Sequence, residues 1–280
     1  MSELPAATRL GAIRLRVGDV DRARSFYETV IGLRTLGASD GLTSLGVDDG
    51  SPFLELEAAP DAPLRPPGTT GLFHLAVLVP TRADLARALR RLVGAGWRLD
   101  GASDHLVSEA LYLSDPEGNG IELYRDRPRE QWPRTGESIQ MATIPLDLED
   151  LLAEDGASAP AMPPETTLGH VHLQVADLDG AEPFWVDALG FELMARLPPH
   201  AAFVAAGGYH HHVGLNTWAG IGAPPPPEGA RGLDRFEVVL PSEGELDAAA
   251  ERLARVTEVE RTEEGALARD PSGNAVLLRT

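Results

Sequence analysis

Internal repetition is the strongest constraint on this chain. Four segments each open on a strand-like run and pass into an amphipathic helix, and a repeated unit fixes an architecture before any single residue is considered. Module one begins Leu10-Gly11-Ala12-Ile13-Arg14-Leu15-Arg16-Val17, whose alternation marks a half-buried strand. The helix that follows, over 19–30, places Ala23, Phe26, Tyr27 and Val30 on one stripe, with Asp19 or Asp21 as its cap and Gly32 as a left-handed stop. Module three repeats this with Leu168-Gly169-His170-Val171-His172-Leu173-Gln174-Val175, Asp177 or Asp179 as cap, the stripe Ala181, Phe184, Trp185 and Ala188, and the stop Gly190. Pro183 is expected early enough in that helix to be tolerated.

Modules two and four carry a variant. Thr81-Arg82-Ala83-Asp84 and Ser242-Glu243-Gly244-Glu245 have the form of capping boxes, ahead of the stripes Leu85, Ala88, Leu89, Leu92 and Leu246, Ala249, Ala250, Leu253. Both close on the same turn and strand, Asp115-Pro116-Glu117-Gly118-Asn119-Gly120-Ile121-Glu122-Leu123 and Asp270-Pro271-Ser272-Gly273-Asn274-Ala275-Val276-Leu277-Leu278. Each module has room for about three short strands after its helix. The reading is an α+β chain of four βαβββ modules in two tandem domains, 8–126 and 167–280. Residues 127–166, rich in Pro, Asp and Glu with a short helix expected near Leu146–Leu152, read as a linker, and Pro224-Pro225-Pro226-Pro227 as a stiff connector.

Composition narrows the function. With 43 acidic against 24 basic side chains the formal net charge is −19, which repels phosphate backbones and anionic lipid, so neither nucleic acid nor a membrane surface is an expected partner. There is no cysteine, so any metal must bind through nitrogen and oxygen. No apolar run approaches a membrane span and Met1-Ser2-Glu3-Leu4-Pro5 has no basic start, so the expected location is the cytoplasm. A homo-oligomer is compatible with these features.

The four modules, the Leu-Gly-His-Val-His-Leu opening at 168–173 and the Asp-Pro-Glu-Gly-Asn-Gly-Ile-Glu-Leu-Tyr ending at 115–124 resemble the vicinal oxygen chelate superfamily of glyoxalase I, bleomycin-resistance proteins and extradiol dioxygenases. Within it, Gly207-Gly208-Tyr209-His210-His211-His212-Val213-Gly214-Leu215-Asn216-Thr217-Trp218 and Asp104-His105-Leu106-Val107-Ser108-Glu109-Ala110-Leu111-Tyr112 are most similar to bacterial two-domain catechol 2,3-dioxygenases. The resemblance implies paired modules enclosing a metal cavity, with ligands offered from first and last strands. The first-strand positions are then Ala12, His74, His170 and Arg235, and the last-strand positions Glu55, Glu122, Gly214 and Leu277.

Among these only His74, Glu122 and His170 give two imidazoles and a carboxylate, the facial set suited to Fe(II) that must also bind oxygen and substrate. That combination pairs module two with module three and leaves one and four as a second cavity without a triad. Manganese is the alternative metal, and O2 the implied co-substrate of a small aromatic diol. Glu55 fits an outward-facing strand residue, and a lone strand histidine is commonly structural. The resemblance assigns acid–base work to His212, expected on a strand with His210 on the same face and His211 opposite. It makes Tyr112, ten residues before Glu122, and His105 active-site groups, against the plainer readings of an amphipathic strand residue and a solvated loop histidine. Tyr209, Asn216 and Trp218 are candidates to line the ring pocket, and His172, on the same side of its strand as His170, either supports that ligand or lies at the surface. Two rivals remain: glyoxalase-type isomerisation, which asks for a second carboxylate, and a binding protein that sequesters an aromatic compound without turnover.

Overall fold

The computed structural model describes residues 3–48, 50–136, 138–154, 156 and 159–280. Of the expected linker, Glu137, Asp155, Ala157 and Ser158 lie outside the described residues, as do Met1 and Ser2 of the N-terminal stretch. The βαβββ order is present four times. Module one is β1 (Arg9–Val17), α1 (Val20–Phe26), β2 (Arg34–Ser39), β3 (Leu42–Gly46) and β4 (Leu54–Ala58). Module two is β5 (Gly71–Leu78), α2 (Arg82–Gly94), β6 (Gly101–Asp104), β7 (Ser108–Ser114) and β8 (Gly120–Asp126). The segment that follows carries β9 (Arg134–Thr135), β10 (Ser138–Ile139), β11 (Ile144–Pro145) and α3 (Leu148–Leu152). Module three is β12 (Thr167–Gln174), α4 (Leu178–Glu182), β13 (Glu192–Leu197), β14 (Ala201–Ala205) and β15 (Val213–Asn216). Module four is β16 (Gly232–Val239), α5 (Glu243–Leu253), β17 (Val259–Thr262), β18 (Gly265–Arg269) and β19 (Ala275–Arg279).

Strand order is β17-β18-β19-β16-β1-β4-β3-β2 in one sheet and β11-β6-β7-β8-β5-β12-β15-β14-β13 in the other, beside a β9–β10 hairpin. Modules one and four thus share a sheet, and two and three share the second. Inside a module the first and last strands run parallel, as β5 does with β8 and β16 with β19. The two compact units are Met1–Arg16, Ala62–Phe73 and Gly169–Thr280, and Val17–Asp61 with His74–Leu168. These bounds differ from a division into 8–126 and 167–280 because β1 lies antiparallel to β16, with Ile13 opposite Phe236.

Local chemistry explains the helices. Asp19 accepts from the Arg22 N–H and Asp177 from the Gly180 N–H, so the first acid of each expected pair is the cap. Both helices then widen into π-helical turns, Tyr27–Ile31 and Pro183–Leu189, that stop at Gly32 and Gly190 with φ of 90° and 105°. Pro183, expected early in the helix, stands at the α-to-π junction. Module one makes the same change with Tyr27 at its junction, so the proline follows the bulge and does not cause it. The Thr81 box also differs: Thr81 Oγ1 accepts from the Asp84 N–H at 3.1 Å and its hydroxyl donates to Asp84 Oδ2 at 2.5 Å. The shorter acid turns to the hydroxyl.

Each π turn is fastened by groups from the module that follows it in sequence. In the unit built on 17–61 and 74–168, the buried Tyr27 hydroxyl donates to Asp115 Oδ2 at 3.0 Å. Arg91 donates to the Val30 carbonyl at 3.1 Å and to that of Ile31, covering carbonyls at the helix end. Burial lowers the Arg91 pKa to about 10, which still leaves a cation at neutral pH. In the other unit Arg252 donates to Ala188 and Leu189 carbonyls at 3.1 and 2.8 Å. Asp115 and Asp270 organise the repeated turns alike, each accepting from the backbone and side-chain N–H groups of Asn119 or Asn274. Burial raises both carboxyl pKa values against these hydrogen bonds.

The expected linker is more than a spacer. Its β11 adds to β6, with Ile144 opposite Asp104 and Pro145 opposite Ser103. Asp147 caps α3, so that helix begins at Leu148, two residues after the expected start. Trp132, Ile139, Leu151 and Met162 are buried, and Arg82 donates to Asp150 and Glu154 at 2.6 and 2.7 Å. Among the described residues no helix is long and apolar enough to cross a membrane.

The Tyr27–Asp115 bond gives a test of this fastening. Tyr27→Phe keeps the ring and removes only the hydroxyl, so it should cost about 1–2 kcal/mol, read as a lower urea midpoint at unchanged slope. An unchanged midpoint would show that the bond adds nothing to stability.

Candidate metal centre

Parallel pairing of first and last strands sets the register of the candidate ligands. On β5 and β8, His74 stands opposite Gly120 and Ala76 opposite Glu122. On β12 and β15, His172 stands opposite Gly214, so Gly214 is the repeat equivalent of Glu122 and His172 that of Ala76. His74, Glu122 and His170 are all buried. Each offers one ligand atom, and these atoms lie within 4.8 Å of one another. His74 Nε2 is 2.9 Å from Glu122 Oε2. A buried carboxylate needs a cationic or hydrogen-bonding partner, and two neutral imidazoles with one carboxylate are a donor set for a divalent metal such as Fe(II), Mn(II) or Zn(II). The residues fit a metal on the chemistry of this set.

Modules two and three divide space in opposite ways. Module two sets the small Ala76 against the long Glu122. Module three sets His172 against Gly214, where an added Cβ would meet the His172 ring at 2.8 Å. A second carboxylate therefore has no room at 214 while His172 is present. In module four, Arg235 pairs with Glu264, and Glu237, opposite Leu277, accepts from the Ala12 N–H at 2.9 Å and from Arg279 at 3.2 Å. Those first-strand positions carry structural ion pairs. Glu55 is a half-buried residue of β4 opposite Ser44.

Around His74 and Glu122, Tyr112 lies directly across from Glu122 on β7, its ring 5.7 Å from that of His74. Burial first, then the Glu122 carboxylate through charge and hydrogen bonding, keeps the Tyr112 hydroxyl protonated well above its ordinary range. His105 Nε2 is 2.6 Å from the Tyr112 hydroxyl, and its Nδ1 is 2.7 Å from the Ala142 carbonyl oxygen. Glu109, on the same strand as Tyr112, is taken up in ion pairs with Arg82, Arg125 and Arg127.

The histidine triplet departs from expectation. Strand β15 starts at Val213; His212, just before it, already bonds to both neighbours, its N–H donating to the Val204 carbonyl at 2.8 Å and its carbonyl accepting from the Val171 N–H at 3.1 Å, while His210 and His211 lie ahead of the paired stretch. His211 is the one beside the candidate ligand, with its ring 4.1 Å from that of His170. His210 follows, its Nδ1 2.7 Å from His211 Nδ1, an arrangement in which one ring donates and the other accepts. His212 Nδ1 instead accepts from the Ala206 N–H at 3.2 Å, and its ring lies 6.1 Å from that of Phe191. His211 thus stands nearer His170 than His210 does, whose ring is 6.2 Å from it, while Tyr209 lies against both His210 and His212 at 4.1 and 5.0 Å.

Of the remaining candidates, Tyr209 packs against His210 with ring centroids 4.1 Å apart. Asn216 is fully buried and its Oδ1 accepts from the Trp218 N–H at 3.0 Å. Trp218 is 48% exposed and packs on His172 and Phe73 at 5.3 and 5.0 Å. Phe203, opposite Gly214 as Tyr112 is opposite Glu122, was not singled out from the sequence, although the same repeat comparison reaches it. Ala142 was missed because a backbone carbonyl carries no residue signature.

Comparison with known proteins gives the family. A family model described as the Glyoxalase/Bleomycin resistance protein/Dioxygenase superfamily matches residues 9–123 and 167–278. The chain is 43% identical over 282 residues to a catechol-2,3-dioxygenase of Bacillus subtilis (strain 168), covering 99% of both. It is 29% identical over 125 residues to biphenyl-2,3-diol 1,2-dioxygenase 2 of Rhodococcus globerulus, covering 44% of this chain and 65% of that one. In fold it is similar to glyoxalase I from Zea mays, at TM-score 0.60 and 18% identity over 97% of this chain and 92% of the other. With both halves matched and a full-length relative at this identity, the chain belongs to the glyoxalase/bleomycin resistance protein/dioxygenase superfamily.

Proposed function

We propose that this chain is an Fe(II)-dependent extradiol dioxygenase that opens catechol-type aromatic diols. The observation that carries the reading is the buried set of two imidazoles and a single carboxylate, His74, His170 and Glu122, which leaves coordination positions for substrate and oxygen. The full-length likeness to a catechol-2,3-dioxygenase supports it. Glyoxalase-type isomerisation is less well supported, since the contact of His172 with position 214 denies the site a second carboxylate.

When bound, Fe(II) supplies a chelation point for two adjacent diol oxygens and the chemistry that activates O2. The chain supplies the surroundings. The Tyr112 hydroxyl, held protonated by burial, is a hydrogen-bonding group for a diol oxygen. His211, beside His170, takes the proton-handling role in this reading, in place of His212, which is tied to Ala206. His210 orients His211 through their Nδ1 contact. Tyr209, Asn216 and Trp218 supply aromatic and polar surface near these histidines for the ring and its substituents.

Three measurements test this. His74→Ala, Glu122→Ala and His170→Ala should each abolish iron retention after anaerobic loading and desalting, while Glu55→Ala keeps it; iron retained without His170 but lost without Glu55 would move the site to another module pair. Loaded anaerobically and then exposed to air, the protein should consume one O2 per ring and give a yellow ring-opened product with some member of a catechol panel bearing alkyl, aryl or carboxyl groups. A flat oxygen trace with the whole panel bound would favour sequestration over catalysis. His211→Ala should keep iron yet lose on the order of 10²–10⁴ in turnover, whereas His212→Ala should affect turnover only as far as it lowers stability. The reverse ranking would return the acid–base role to His212.

A further inference from the structure

The ring of His105 is fixed from two sides and its backbone is constrained as well. Its N–H donates to the Ser108 carbonyl at 2.8 Å, and the next residue, Leu106, has φ 70°. A bulky side chain adopts that conformation only where the surroundings impose it, and here Asp104 Oδ1 accepts from the Leu106 N–H at 2.8 Å. The partner of Nδ1 is the Ala142 carbonyl at 2.7 Å. A carbonyl can only accept, so the proton of the ring sits on Nδ1, and in the neutral imidazole Nε2 is then a bare acceptor facing Tyr112 at 2.6 Å. Ala142 is held in place: its N–H reaches back to the His105 carbonyl at 3.4 Å, and β11 pairs with β6 immediately after it.

The Tyr112 hydroxyl has one proton and two acceptors within reach, His105 Nε2 and the carboxylate of Glu122 across the ladder. A carboxylate that accepts a phenol proton gives up electron density that a metal would otherwise draw on, and groups around a ligand commonly change metal affinity by about 10–100-fold. We propose that the Ala142 carbonyl, through the tautomer it imposes on His105, draws the Tyr112 proton away from Glu122 and keeps that carboxylate a strong metal ligand. His105 is thus a positioning residue acting through Tyr112, and the segment joining modules two and three is a working part of the centre. The inference rests on the metal set proposed above and is independent of the reaction.

The test combines a spectrum with a double-mutant cycle. In the metal-free protein, the imidazole ¹⁵N shifts of His105 should report a neutral ring protonated on Nδ1. His105→Asn places an amide donor near Nδ1 and nothing at Nε2, so it keeps the bond to Ala142 and frees the Tyr112 proton for Glu122. Fe(II) affinity, measured anaerobically by chelator competition, should fall about tenfold, and in a Tyr112→Phe background the same substitution should have no effect. A ring protonated on Nε2, or an equal loss in both backgrounds, would overturn the inference. If His74→Ala and Glu122→Ala leave iron bound, the metal reading itself has failed, an outcome distinct from either of these.

Discussion

The parallel register of first and last strands is the constraint on which the centre depends. It places residue 76 against 122 and residue 172 against 214, and in both of these pairs a long side chain stands against a small one. Because Ala76 is small, Glu122 can extend toward His74 and stand 2.9 Å from its Nε2. A carboxylate removed from water in this way is costly unless compensated, and the compensation comes from imidazoles and, in the proposed holoprotein, from a divalent cation. The rest of the fold keeps these strands in place. The aspartate turns that precede β8 and β19 hold their own backbone through Asn119 and Asn274, and the arginines Arg91 and Arg252 hold the π-helical turns.

Much of this was legible in the sequence because a repeat supplies its own comparison. Ala12, His74, His170 and Arg235 could be set side by side, as could Glu55, Glu122, Gly214 and Leu277, and one combination offered a facial set. The strand count, the glycine stops and the pairing of module two with three follow from the same reasoning. What failed was local backbone geometry. The π widening at Tyr27 and Pro183 leaves the apolar stripe unchanged, so periodicity does not reveal it. The His210–His212 stretch reads as a strand, yet β15 begins only at Val213, and the ring nearest His170 there is that of His211.

A second class of miss concerns groups without side-chain signatures. The Ala142 carbonyl and the N–H of Ala206 decide how His105 and His212 are oriented, and no composition or spacing marks them. The Pro- and acid-rich composition of 127–166 suggested a spacer, whereas its buried Trp132, Ile139, Leu151 and Met162 make it a packed part of the unit around Glu122. Charge density and low apolar content describe the outer face of such a segment and say little about the few side chains that anchor it.

The exchange of bulk between His172 and Gly214 also bears on how such a chain could change over evolutionary time. A four-ligand centre with a second acid would need a longer residue at 214, and any Cβ there meets the His172 ring at 2.8 Å. Shrinking position 172 first empties the space beside His170, and enlarging 214 first creates a clash. Each single step is unfavourable while the pair of changes taken together is not. The two chemistries hosted by this fold are therefore separated in this chain by a local barrier of two coupled substitutions, which resists drift from one centre to the other even where the surrounding scaffold would accommodate both.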